Sequence, residues 1–305
     1  MISNVRAVQD LNVTMQATSK TYRSNDALAN VNGCFEAGCI HGLLGRNGAG
    51  KTTLLNLIAG YDHASAGQIL YNDRPFTEQQ SLIHQVCYIR ETEPSWEDYK
   101  LKVLLDYCQL LIPTWDRACA DFYMQKYQLN PNKQYKQLSR GMKSMFGIIK
   151  GLASRTSLTL FDEPVLGLDA AMRQQFYDDL LTEYQQDART FIVSTHLIDE
   201  SENVFERVSI LHQGHLLIQQ PTQDLLDRAY TVSGSRADIE SIMKDITVLH
   251  AEYIGSLAAV SVWDPSTAWL QSCKQKGLEL TRVPLQKLFI YLTDQPLLLA
   301  RKENN

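Results

Sequence analysis

Eight consecutive residues, Gly45-Arg46-Asn47-Gly48-Ala49-Gly50-Lys51-Thr52, constrain this chain more than any other feature. They fit G-x-x-x-x-G-K-[ST], a loop that turns successive backbone N–H groups toward one anion. Glycines are required because such a nest uses positive φ, which only they adopt freely. Before the loop, Ile40-His41-Gly42-Leu43-Leu44 reads as a buried strand. After it, Thr53-Leu54-Leu55-Asn56-Leu57-Ile58-Ala59 reads as a helix with its positive end on the anion. In that arrangement Lys51 reaches the β- and γ-phosphates of a nucleoside triphosphate, and the Thr52 hydroxyl holds Mg²⁺.

Downstream, Ser157-Leu158-Thr159-Leu160-Phe161 is a short apolar run, strand-like and buried, ending in Asp162-Glu163. A carboxylate at the carboxyl end of a core strand sits where open α/β sheets bind their ligands. Asp162 therefore suits the Mg²⁺ shell, and Glu163 suits a general base or water positioner. Two acids after a strand would alone read as a solvated turn; the upstream loop turns the reading toward chemistry. Arg189-Thr190-Phe191-Ile192-Val193-Ser194-Thr195 is another buried strand, and His196 closes it on the γ-phosphate side.

Leu138-Ser139-Arg140-Gly141-Met142, with Pro164-Val165-Leu166-Gly167-Leu168-Asp169 and His196, resembles the ATP-binding cassette (ABC) family, in the nucleotide-binding subunits of its transporters. The resemblance covers about residues 10–225. The family's signature is usually L-S-G-G-Q, so the chain departs at Arg140 and Met142. The resemblance implies that Ser139 and the Gly141 N–H contact the γ-phosphate of ATP held by a second subunit's P-loop, with Arg140 beside it. Arg140 has a second reading, as a surface cation paired with an acid or turned to solvent. From the residues alone, Ser139 is an N-cap, and Met142, Met145, Phe146, Ile149 and Leu152 form a core-facing stripe.

Tyr22 matches the aromatic that stacks on adenine, though a strand tyrosine packed on its neighbours is the other reading. Glu91 occupies the place of the family's Q-loop glutamine, where it can reach Mg²⁺ or water but cannot donate as an amide does. Asp169 matches the aspartate that communicates across the dimer. Since the chain has one P-loop and one signature, the resemblance requires two copies, or this chain with a related ATPase, to enclose two ATP molecules.

The expected fold class is α/β. It comprises a RecA-like P-loop NTPase cassette core, an antiparallel β subdomain, a helical subdomain over about residues 92–150, and a small C-terminal α+β appendage. The domains are residues 1–228 and 229–305. Residues 1–40 alternate apolar and polar, as antiparallel strands do. Between Thr92 and Lys136 a helical pattern is interrupted by Pro94, Pro113 and Pro131. By resemblance, this part meets the membrane partner. In the appendage, Tyr230–Gly234 and Ala258–Trp263 read as strands and Arg236–Lys244 as a helix. Pro284 opens a helix with Leu285, Leu288, Phe289 and Leu292 on one face. This tail resembles those of cassette ATPases from antibiotic and lipid exporters.

Composition excludes several alternatives. A chain of 305 residues with 44% hydrophobic content can bury a full core. Its six cysteines include no C-x-x-C pair, which argues against a disulfide framework or zinc ribbon. His212-x-x-His215 lacks further ligands nearby and reads as a solvated loop. No segment approaches the ~20 apolar residues of a membrane span, and Met1–Arg6 lacks the apolar core of a secretory signal. A net charge of −5 gives no footprint for nucleic acid.

The expectation is therefore an ATPase on the cytoplasmic face of the cell membrane. It would power a separately encoded permease, as an exporter by the tail's resemblance. One rival is an ATP-binding regulatory cassette that hydrolyses little, toward which Glu91 and Arg140 point. Another is a nucleic-acid- or ribosome-acting cassette, whose second cassette, coiled-coil insertion and zinc sites do not appear. A GTPase is disfavoured because Asn132-Lys133-Gln134-Tyr135 lacks the guanine-reading aspartate.

Overall fold

The computed structural model describes residues 10–75, 82, 84–90, 93–244 and 246–294; Glu91 lies outside them. The chain divides into two compact units. The first is Met1–His196 with Asn203–Gln219, and the second is Leu197–Glu202 with Gln220–Asn305.

In the first unit, β1 (Val13–Tyr22) and β2 (Asn25–Phe35) pair antiparallel. β3 (Ile40–Leu44) leads through the P-loop into α1 (Lys51–Ile58). β4 (Ala66–Tyr71) and β5 (Arg74–Pro75) return to the first strands, giving the order β2-β1-β4-β5. After β6 (Val86–Ile89) come α2 (Leu101–Leu111), α3 (Arg117–Lys126) and α4 (Arg140–Ala153). Then follow β7 (Leu158–Asp162), α5 (Ala170–Gln186), β8 (Thr190–Thr195), β9 (Arg207–His212) and β10 (His215–Pro221).

The central sheet has the order β10-β9-β3-β8-β7-β6, and β9, β3, β8, β7 and β6 run parallel. Every residue of β3, β7 and β8 is buried, as expected of strands covered on both faces. Leu44 lies opposite Thr195, and Asp162 opposite Ser194. The carboxyl ends of three neighbouring strands are therefore level, and the segments that follow them meet at one edge.

The helical region follows its apolar spacing. α2 buries Leu101, Leu104, Leu105 and Cys108 and stops before Pro113. Asp116 caps α3 by accepting the Cys119 N–H at 2.9 Å. Phe146, Ile149 and Leu152 of α4 are buried, while Met142 and Met145 are half-buried.

A polar network ties α3 to α5. Tyr123 donates to Glu183 Oε1 at 2.8 Å, Arg155 Nη1 lies 2.5 Å from Glu183 Oε2, and Tyr127 donates to Asp179 at 2.7 Å. Glu183 is buried, so Glu183→Ala strands the Tyr123 hydroxyl and leaves the Arg155 guanidinium with Asp116 Oδ2, 3.3 Å away, as its remaining carboxylate. It should destabilise the fold by about 2 kcal/mol, read as a lower urea midpoint. Glu183→Gln, which keeps an acceptor for Tyr123, should lose less.

The second unit contains α6 (Thr222–Leu226), β11 (Ala229–Ser235), α7 (Arg236–Glu240), β12 (Thr247–Ile254) and β13 (Leu257–Trp263), then α8 (Thr267–Gln275), β14 (Glu279–Arg282) and α9 (Leu285–Asp294). Its sheet, ordered β12-β13-β11-β14 with antiparallel neighbours, is a split βαββαβ arrangement. Val232, Val260, Val262, Ile239 and Cys273 form its core.

Two features differ from the sequence reading. The helix from Arg236 ends at Glu240, not Lys244, because the chain turns to pack Ile242 and Met243 on that core. The mostly exposed β12 and β14 carry little of the alternation that identifies strands. α9 buries Leu285, Leu288, Phe289 and Leu292, and its Leu285 N–H donates to Glu202 Oε2 at 2.8 Å.

Candidate active site

The loop after β3 is held by glycines, Gly48 by its backbone conformation, Gly45 by lack of room and Gly50 by both. Gly48 and Gly50 have φ of 80° and 107°. A Cβ on Gly50 would lie 2.6 Å from the Ala27 carbonyl oxygen, and one on Gly45 would lie 2.8 Å from that of Leu211. The cradle thus requires glycine both for conformation and for close approach. Its donors and the start of α1 form an anion seat of the shape a phosphate needs.

Lys51 is 6% exposed; its Nζ donates to the Gly45 carbonyl at 2.7 Å and lies 3.0 Å from Glu163 Oε1. This second contact is close but not aligned as a hydrogen bond, and Oε1 has no hydrogen-bond partner. Glu163 Oε2 lies 2.9 Å from His196 Nδ1. The residues after β3, β7 and β8 have therefore come together as lysine, glutamate and histidine.

Glu163 leaves β7 in a left-handed turn, φ 50°, which a non-glycine residue adopts only under constraint. Ser194 supplies it. The Glu163 N–H donates to Ser194 Oγ at 3.0 Å and to its carbonyl oxygen at 3.2 Å, while Ser194 Oγ donates to Asp162 Oδ1 at 2.7 Å. Tyr88 donates to Asp162 Oδ2 at 3.4 Å. Burial and the neighbouring Asp162 push the Tyr88 phenol far above its ordinary pKa, so it remains a donor. The sequence assigns no site role to Ser194 or Tyr88, although Ser194 is a polar position in an apolar strand two residues before His196.

A cleft of about 840 Å³ opens over this group, a size that suits a nucleotide. Tyr22, Arg46, Asn47, Gly48, Ala49, Gly50, Lys51, Thr52, Thr53, Arg140, Glu163 and His196 line it. Asn25, Asp26 and Gln213 complete its outer wall without having been anticipated. Asp162 sits beneath, buried.

Ser139 caps α4 by accepting the Met142 N–H at 3.3 Å. Gly141 packs so tightly that a Cβ would lie 2.8 Å from the Gly167 carbonyl oxygen. The start of α4 and the Pro164–Asp169 loop are thus fitted together, and Asp169 caps α5 through the Met172 N–H at 2.9 Å. Arg140, placed by resemblance beside an opposite subunit's ATP, lies here on the wall of its own chain's cleft.

Residues 28–166 match the family model described as ABC transporter. The chain is 29% identical to the ABC transporter ATP-binding protein YtrB of Bacillus subtilis, over 67% of this chain and 70% of that protein. This chain carries an ABC transporter ATP-binding cassette domain. The cassette is also 31% identical to the glucosylceramide transporter ABCA12 of Mus musculus, over 67% of this chain but only 8% of that much longer protein. Its fold matches a solved ATP-binding subunit of an ABC transporter, with a TM-score of 0.63 and 23% identity, covering 72% of this chain and 92% of that one. The architecture is that of a P-loop NTPase, and ABC cassettes hydrolyse ATP. Among the described residues, no helix is long and apolar enough to cross a membrane.

Proposed function

We propose that this cassette closes on Mg²⁺-ATP against a second copy, or a related cassette, and thereby drives a separately encoded membrane permease in the export direction. The observation that supports the reading is that Lys51, Glu163 and His196 converge on the cleft while Ser139 and Gly141, at the start of the capped signature helix, are not among the residues lining it. Ser139 and the Gly141 N–H of one chain would contact the γ-phosphate held by the other, with Asp169 coupling the two.

Thr52 and Asp162 would hold Mg²⁺. Asp162 fits because a buried carboxylate fixed by Ser194 and Tyr88 is stabilised by a cation. The ion would neutralise charge on the β- and γ-phosphates. Glu163 Oε1, buried without a hydrogen-bond partner, is placed to accept a proton from the attacking water, while His196 fixes the other oxygen.

The helical subdomain supports the membrane-side partner. Tyr107, Leu110, Leu111 and Phe122 are exposed there, and Tyr107 and Leu111 line an apolar groove of about 220 Å³ that includes Trp96 and Leu104. An exposed apolar patch of this kind suits a docked helix, and docking would hold the cassette at the membrane. The export direction rests on the resemblance of residues 229–305, an accessory domain in this reading, to exporter tails.

Mixing two inactive variants tests the composite site. Lys51→Ala removes the phosphate clamp. Ser139→Asp keeps the helix cap but sets a negative charge against the partner's phosphate. Each alone should fail to hydrolyse ATP, and the mixture should regain activity through dimers with one intact site. No recovery on mixing would reject the composite site.

A further inference from the structure

The wall of the cleft near Tyr22 contains a device that the catalytic reading leaves unused. Tyr22 is the last residue of β1, at a sheet end where an aromatic side chain would ordinarily swing freely, and it is 42% exposed. Its hydroxyl nevertheless donates to Asp62 Oδ2 at 2.7 Å. Lys20 Nζ donates to Asp62 Oδ1 at 2.6 Å and to the His63 carbonyl at 2.8 Å, and it lies over the Tyr22 ring, 4.9 Å from the centroid. One ammonium thus packs on the ring and also holds the carboxylate that grips the ring's hydroxyl. Asp62 is drawn down to a pKa of about 2, first by the Lys20 hydrogen bond and then by that of Tyr22. The carboxylate therefore stays charged throughout the working pH range.

We infer that Lys20 and Asp62 are positioning residues for the nucleotide base, locking the Tyr22 ring as a fixed platform on the cleft wall. The inference rests on the reading of Tyr22 as the base-stacking residue. A free aromatic must be ordered when a base stacks on it, and that lost freedom subtracts from the affinity. Here both soft torsions of the ring are already restrained, at the hydroxyl by Asp62 and across one face by Lys20. Tyr22 lines the cleft, and the face away from Lys20 is the one a purine would stack on. Asp62 and Lys20 themselves are absent from the lining of the cleft, so their influence on ATP runs through Tyr22.

The test separates base binding from phosphate binding. Calorimetry on the full chain with Mg²⁺ would compare ATP with inorganic tripolyphosphate, which has the phosphates and no base. Tyr22→Ala should weaken ATP binding by about tenfold or more and leave tripolyphosphate unchanged. Asp62→Ala should weaken ATP by roughly three- to tenfold, again sparing tripolyphosphate. Tyr22→Phe, which keeps the ring and removes its hydroxyl's ties to Asp62 and Thr53, should weaken ATP at least as much as Asp62→Ala and covers the case in which that variant folds poorly. In the double variant Tyr22→Ala/Asp62→Ala, the loss should equal that of Tyr22→Ala alone, because Asp62 has no ring left to position.

Parental ATP affinity in Asp62→Ala and Tyr22→Phe, alongside a weakened Tyr22→Ala, would overturn the clamp and leave stacking intact. Parental affinity in Tyr22→Ala would remove the stacking reading and the clamp with it. Equal loss of ATP and tripolyphosphate in Asp62→Ala would assign Asp62 to the fold of the phosphate site and overturn its positioning role.

Discussion

Glu163→Gln is expected to slow ATP hydrolysis by about 10²–10⁴-fold, the usual loss when a general base is removed, while ATP is bound more tightly than by the parent chain. The two effects share one cause. Glu163 Oε1 lies 3.0 Å from Lys51 Nζ, so the carboxylate proposed to serve the attacking water would also compete with phosphate for the P-loop cation. An amide cannot take a proton from water, and it no longer neutralises Lys51. The anion that arrives therefore meets a full positive charge. The amide can still reach His196 and Ser194 still holds the backbone, so the geometry should survive. Steady-state turnover, together with particle size in Mg²⁺-ATP, reads both effects: a long-lived dimer with almost no phosphate release. A variant that turns over near the parental rate would remove Glu163 from the role of base.

Lys51→Ala should act at the binding step. Lys51 is almost wholly buried, and its ammonium is held by the Gly45 carbonyl and Glu163. Removing the cation that would pair with the bound phosphates costs about 2–5 kcal/mol when such a pair is desolvated and hydrogen-bonded, so ATP affinity should fall by at least about 30-fold. The helix itself should persist, because alanine at the first position of α1 is a good helix former. Titration with a fluorescent ATP analogue, beside an unchanged circular dichroism spectrum, distinguishes this from misfolding. Retention of parental affinity would mean that the glycine cradle alone carries the phosphates.

What could be read in the sequence depended on whether a feature is local. The P-loop is contiguous, and each of its residues has a backbone reason, so Gly45 to Thr53 stand where the pattern set them. Asp162, Glu163 and His196 could be placed because each follows an apolar run long enough to be a buried strand. Ser194 and Tyr88 were invisible because their role depends on register: Asp162 meets Ser194 only when β7 and β8 lie side by side. Lys20 and Asp62 are separated by 42 residues, and only the pairing of β1 with β4 brings that region together. In the appendage, β13 announced itself by burial, whereas β12 and β14 are sheet edges whose exposed side chains give no period. Arg140 shows a different limit: a motif assigns a residue to a chemistry, but not the wall on which its side chain lies.

The left-handed turn at Glu163 sets two selective pressures against each other. A side chain there opposes its own backbone, at a cost of about 1–3 kcal/mol that glycine would avoid and asparagine would reduce. Thermal robustness alone would favour those residues at position 163, and either would remove the carboxylate from the cleft. In the proposed role, the glutamate marks a place where durability is given up for turnover, and Ser194, bracing the strained peptide from the neighbouring strand, keeps that sacrifice small.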